Sequence, residues 1–211
     1  MRNLFSVLTS AIAAAFVLTA CAPTGNPTSD PSSSTRLKLP QSCQLEPDEE
    51  GSVCTVSRGH NTAVILFFDD VFRRFDANFP MPIELMARKH DAESRAFWYG
   101  ALEAMVLDDV SRGVHNDSSI TSWDFTPLSA TDLPPGTDAC VRTNWSGRLT
   151  IQDTTVKSRQ YMCVGWRPQD GAFRLVSLEV GTVTGPGADA PGADYREVAD
   201  TVFASLALSG S

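Results

Sequence analysis

Histidine is scarce. The 211 residues contain three, and none falls in an H-E-x-x-H or comparable ligand spacing. No C-x-x-C pair occurs, nor a G-x-S-x-G elbow, an EF-hand loop or a glycine-rich phosphate cradle. These gaps remove zinc-ribbon, metalloprotease, α/β-hydrolase and P-loop chemistry from consideration, and no metal or cofactor is expected. Basic residues are also in the minority: 17 Lys and Arg against 25 Asp and Glu give a formal net charge of −8. An acidic body argues against a nucleic-acid partner and against general attraction to anionic head groups. No internal repeat is evident.

What the chain does have begins at its first residues. "MRN" carries one arginine, and "LFSVLTSAIAAAFVLTA" then runs from Leu4 to Ala20 without a charge. A basic start, an apolar run and small residues at its end describe a secretory signal segment. Seventeen uncharged residues fall short of the ~20 predominantly apolar ones a spanning helix needs, and several are Ser, Thr or Ala.

The last four residues of this stretch, Leu18-Thr19-Ala20-Cys21, resemble the lipobox of bacterial lipoproteins. That resemblance covers residues 1–21. It implies cleavage between Ala20 and Cys21, a diacylglycerol on the Cys21 sulfur and a fatty acyl chain such as palmitate on its new amino group. Two or three acyl chains make attachment stable, because one alone binds only marginally. In the Gram-negative members of the family, aspartate after the cysteine retains the protein at the inner membrane. Ala22 stands there, which in a Gram-negative envelope implies the outer membrane, facing the periplasm.

Behind Cys21 the run "APTGNPTSDPSSSTR" (22–36) holds three prolines and no large apolar residue. Such a segment buries too little to offset its ordering entropy. Residues 21–37 are therefore expected to be a disordered tether, with an end-to-end distance of roughly 20 Å. Residues 38–211 are enough for a single domain burying around 70% of its unfolded surface. Losing the signal segment removes Arg2 and leaves a net charge of −9.

Five cysteines is an odd number for an exported chain. Lipidation of Cys21 would leave Cys43, Cys54, Cys140 and Cys163, an even set for disulfides with three connectivities open. A metal site is the rival, but separations of 11, 86 and 23 do not match a zinc ribbon. The runs 139–151 and 156–166 read as two strands joined by "QDTT", and folding that hairpin sets Cys140 opposite Cys163. This favours Cys140–Cys163 together with Cys43–Cys54.

The rest reads as α+β. Runs 51–59 and 61–70 form a hairpin, and the second is apolar on both faces, as a central strand would be. A helix is expected from about Asp91 to Arg112, with Trp98, Leu102, Met105 or Val106 and Val110 on one side and Gly113 as its stop. A strand near Ile120–Phe125 follows. The 139–151 and 156–166 hairpin and "AFRLVSLEVGTV" (172–183) then make an antiparallel meander. Asp194 and Glu197 form a capping box for a last helix burying Tyr195, Val198, Val202 and Leu206. Two helices packed on an antiparallel sheet result, an element order similar to the PsbP/Mog1-like domains.

Chemistry is harder to place. Ser57, His60 and Asp69 assemble a triad on paper without the context that makes one work. His60, His90 and His115 read as surface residues flanking turns and helix ends. The pairs Asp69-Asp70 and Asp108-Asp109 are candidate acid–base carboxylates, the second pair standing against the dipole of a helix C-terminus. "VFRRFDANF" sets Phe72, Arg73, Arg74 and Phe75 together, a composition enriched at interfaces. The leading expectation is a lipid-anchored envelope protein that is not an enzyme and binds a protein partner or small ligand. An anchored envelope hydrolase and a purely structural envelope protein remain the alternatives.

Overall fold

Twelve residues, Asn61–Phe72, form a strand that is apolar on both sides at its centre, and the fold is built around it. The computed structural model describes residues 35–41, 43–48, 51–58, 61–72, 92–115, 118–149, 154–167, 172–184 and 195–208. In chain order the elements are β1 (Thr35–Arg36), β2 (Glu46–Asp48), β3 (Gly51–Arg58), β4 (Asn61–Phe72), α1 (Ala92–His115), β5 (Ser118–Pro127), β6 (Ala139–Leu149), β7 (Thr154–Arg167), β8 (Ala172–Thr184), α2 (Tyr195–Phe203) and β9 (Ala207–Leu208). The chain is a single α+β domain, and its described residues form one seven-stranded antiparallel sheet ordered β2-β3-β4-β8-β7-β6-β5, a two-stranded β1–β9 ribbon and two helices.

Alternation along β4 explains its place. Ala63 and Ile65 enter one core with Cys54, Val176, Leu178 and Val180, roofed by Tyr195, Ala199, Val202 and Phe203 of α2. Phe68 packs against the other core, where Trp98, Leu102 and Val106 of α1 cover Val141, Met162, Val164 and Leu175. The sheet is therefore buried on both faces, which a strand apolar on both sides requires. Helix α1 lies over β5 and β6, and α2 lies across β7 and β8 on the opposite face. Within the α1 core, Trp98 and Trp166 both pack on Phe173 at 4.6 and 4.5 Å.

Two expectations about boundaries change. The first helix does not stop at Gly113 but continues to His115. The folded body starts at Thr35, not at residue 38, because Thr35 and Arg36 pair with Leu208 and Ala207. Leu37 and Leu39 then pack on the α2-side core, so residues 35–37 belong to the domain and not to the tether.

The two disulfides link Cys43 to Cys54 and Cys140 to Cys163, with Cα separations of 5.6 and 4.1 Å. Cys140 and Cys163 are direct cross-strand partners in the β6–β7 register. Each closed loop contributes about 3 kcal/mol in the chain-entropy account.

The loop from β5 to β6 is fastened where the C-terminal ribbon crosses it. Gly136 has φ +82°, and a side chain there would run into the Leu208 carbonyl. Leu208 N–H donates to Pro135 O at 2.9 Å, Asp138 N–H to Val164 O at 2.8 Å, and Trp166 N–H to the Asp138 carboxylate at 2.6 Å.

Candidate functional site

On the α2 side of the sheet the side chains change character at β7. The cross-strand row Cys54, Ile65, Val180 is apolar, and it continues as Arg159, Asn144, Asp124. The neighbouring row Phe67, Leu178 continues as Tyr161, Arg142, Thr126. Helix α2 covers the apolar half. On the polar half Asp124 and Ser122 are exposed, while Thr126, Arg142, Asn144 and Ser146 are half-buried.

A bonded network seals the seam between the halves. Arg159 Nη1 donates to both Asp200 carboxylate oxygens at 2.6 Å, and Tyr161 Oη donates to Asp200 Oδ1 at 2.5 Å. Arg159 Nε donates to Asn144 Oδ1 at 2.7 Å, and Asn144 Nδ2 donates to Asp124 Oδ1 at 2.8 Å. The Tyr161 ring stacks on Phe203 of α2 at 3.8 Å with planes 8° apart. Burial first, then the hydrogen bond to Asp200 and the charge of Asp200, push the Tyr161 hydroxyl up to about 12, against the opposing charges of Arg159 and Arg142.

Arg142 stands beside this network and outside it. Its cross-strand neighbours are Thr126 and Tyr161, neither of them acidic. Its Nε is buried and has no hydrogen-bond partner, a condition that costs about 1–3 kcal/mol for an unsatisfied group. Asp200 and Asp124, the nearby carboxylates, are taken by Arg159, Tyr161 and Asn144.

The α1 side holds a second polar group. Glu179, 4% exposed, accepts from Trp145 Nε1 at 2.8 Å and Ser158 Oγ at 2.6 Å on the same oxygen. Burial raises its pKa above the ordinary value, partly offset by those two bonds. Gln160 donates to Ser177 Oγ at 3.1 Å on the same face. At the opposite end of the sheet, a polar cleft of about 370 Å³ is lined by Gln41, Gln44, Glu46, Val53, Cys54 and Thr55.

The sequence candidates separate differently. Ala20 and Cys21 lie outside the described residues, as do His60, His90, Arg73, Arg74 and Phe75. Phe72 ends β4, and its side chain lies outside them too, as do those of Ser57, Asp70, Asp108, Asp109 and His115. Asp69 is a structural carboxylate. It accepts from Arg174 Nε at 2.6 Å, from Arg174 Nη2, and from Thr35 Oγ1 at 2.7 Å. This fastens β1 to β4 and β8, so Asp69 is committed to the fold and not to a triad. Among the described residues, no group of three or more His, Cys, Asp or Glu could hold a metal. No described helix is long and apolar enough to cross a membrane.

Arg142, Asn144, Arg159, Tyr161 and Asp200 were not singled out by sequence reasoning. One signal was present: Arg142, Asn144 and Ser146 alternate with Val141, Thr143 and Trp145 along β6, which marks a strand polar on one side.

No family model and no curated protein matches the chain. Among solved structures it is similar to the crystal structure of LpqN, which is involved in cell envelope biogenesis of Mycobacterium tuberculosis. The identity is 12%, the TM-score is 0.47, and the match covers 87% of this chain and 86% of that one.

Proposed function

We propose that the chain is a bacterial envelope lipoprotein, anchored through lipid on Cys21, whose domain is not an enzyme and binds an envelope partner or small ligand. The observation that carries the binding part is the change of character at β7. A sheet face that α2 covers as far as β7 carries a half-buried polar surface over β6 and β5. The anchoring part is supported by Leu18-Thr19-Ala20-Cys21 and by the two disulfides, which belong in an oxidising compartment.

In this reading residues 1–20 are removed and residues 21–34 are the spacer that ends where β1 begins. Ala22 behind the cysteine favours the outer membrane in a Gram-negative envelope. The Phe72–Phe75 segment is a second docking candidate.

Crosslinking of the anchored chain in intact envelopes, beside assays of the purified chain on envelope polymers and lipids, tests the reading. A discrete adduct without turnover is expected. Turnover of an envelope substrate without an adduct overturns it in favour of an anchored hydrolase. Retention of fatty-acyl label by Cys21→Ser overturns the anchor.

A further inference from the structure

We propose that Arg142 is the anchoring group of an oxyanion-binding site on the polar half of the α2-side sheet face, taking a ligand that bears a phosphate or carboxylate. The proposal rests on the binding reading above and names the chemistry of its ligand.

Four observations carry it. First, the Arg142 guanidinium makes no hydrogen bond or ion pair among the described residues, and its Nε is buried with no acceptor. Arginine cannot lose its proton in a protein, so the charge and its donors persist. A planar guanidinium presents its donors in a fork that matches two oxygens of one carboxylate or phosphate.

Second, among the described residues no carboxylate bonds to Arg142. Asp200 is held by Arg159 and Tyr161, and Asp124 by Asn144. The same network holds Arg159, Tyr161 and Asn144 in place, so the surroundings of Arg142 are fixed before any ligand arrives. Preorganisation of this kind lowers the cost of binding.

Third, Thr126 lies directly across from Arg142 on β5 and brings a hydroxyl to the same row. Tyr161 flanks the other side, its hydroxyl proton already given to Asp200.

Fourth, the described cations of the sheet gather on this one face of an acidic protein. The registers place Arg142 and Arg148 of β6, Lys157 and Arg159 of β7 and Arg174 of β8 all on the α2 side. Arg159 and Arg174 are neutralised by Asp200 and Asp69. Lys157 is exposed further along the face and favours approach of an anion.

The test follows the Arg142 side-chain Nε–H resonance of the full, lipidated chain in neutral detergent, together with the backbone N–H resonances of Thr126 and Tyr161 across from it, which report on the site in variants that lack the guanidinium. Inorganic phosphate and acetate are titrated separately. In a parallel arm the chain lacking Cys21 acylation (Cys21→Ser) is sedimented with phosphatidylglycerol or phosphatidylcholine vesicles. A saturable shift with phosphate or acetate is expected. It should weaken by about tenfold or more in Arg142→Gln, weaken less in Arg142→Lys, and persist in Arg148→Gln. Sedimentation with phosphatidylglycerol alone, lost in Arg142→Gln, supports the same site with a lipid head group as the source.

No saturable shift and no sedimentation overturns the proposal, and so does binding that Arg142→Gln and Arg142→Lys leave unchanged. Neither result touches the binding reading itself, which the envelope crosslink decides independently of Arg142.

Discussion

Asp200→Ala should destabilise the domain by about 3 kcal/mol. Asp200 receives three hydrogen bonds from β7, two from Arg159 at 2.6 Å and one from Tyr161 at 2.5 Å. Removing one member of a fully buried ion pair costs about 3–5 kcal/mol, because the other charge is left uncompensated. Here the Arg159 side chain is 11% exposed but that of Asp200 is 49% exposed. Water therefore reaches the vacated position, and Arg159 keeps its bond to Asn144 at 2.7 Å. Both facts place the cost at the lower end of the range.

Tyr161→Phe deletes one hydroxyl and leaves the ring on Phe203, so it should cost about 1 kcal/mol. In the double variant the hydroxyl has no acceptor to lose, and the coupling energy should be about 1 kcal/mol. The assay is urea unfolding with both disulfides oxidised, comparing midpoints at unchanged m-value. For a domain of this size about 3 kcal/mol corresponds to roughly 6–12 °C in Tm. An Asp200→Ala variant within about 0.5 kcal/mol of the parent, or strictly additive single effects, would refute the claim that this network fastens α2 to the sheet.

The Tyr161 hydroxyl, raised from 10.0 to about 12, should ionise earlier in Asp200→Ala by ultraviolet titration, with Tyr161→Phe identifying the signal; coincident curves would contradict the network. Since the folded value is raised, its contribution to stability is present below about pH 10 and is lost as pH rises through about 12. Glu179 is raised above 4.5 by burial, so its contribution is complete below that value and is lost as pH climbs through the folded value. Denaturation of Glu179→Gln and the parent between about pH 4 and pH 8 should show the variant gaining relative stability as pH rises, and parallel profiles would sink that reading. Gly136→Ala, with φ +82° and the Leu208 carbonyl in the way, should cost about 2 kcal/mol or more in thermal unfolding. Gly100→Ala, exposed in α1 with nothing within 4 Å of the added carbon, should stabilise by up to about 1 kcal/mol; the reverse order would contradict both assignments.

Local pattern made much of the architecture legible. Alternation along 139–151 and 156–166 with one cysteine in each strand identifies the β6–β7 pair, and the structure makes Cys140 and Cys163 direct partners. The double-sided apolar run at 61–70 predicts a covered central strand, and β4 sits third in a seven-stranded sheet. What escaped is long-range. The pairing of Thr35 with Leu208 joins residues 173 positions apart through two-residue strands that carry no periodicity. Asp69 looked like a catalytic candidate because its partner, Arg174, is 105 positions away. Gly113 looked like a helix stop, but α1 continues to His115; a glycine inside a helix costs about 1 kcal/mol without ending it. The site was hidden for the same reason. Arg159 and Asp200 are 41 positions apart, and nothing local tells a paired arginine from an unpaired one.

The central claim is that the polar half of the α2-side face is the working surface of an anchored domain. Placing a photoreactive residue at Thr126 on that face, and separately at Glu103 on the exposed side of α1, then irradiating intact envelopes, tests it most directly. The account predicts a discrete adduct from Thr126 and none from Glu103. Equal adducts from both positions, or an adduct from Glu103 alone, would contradict it.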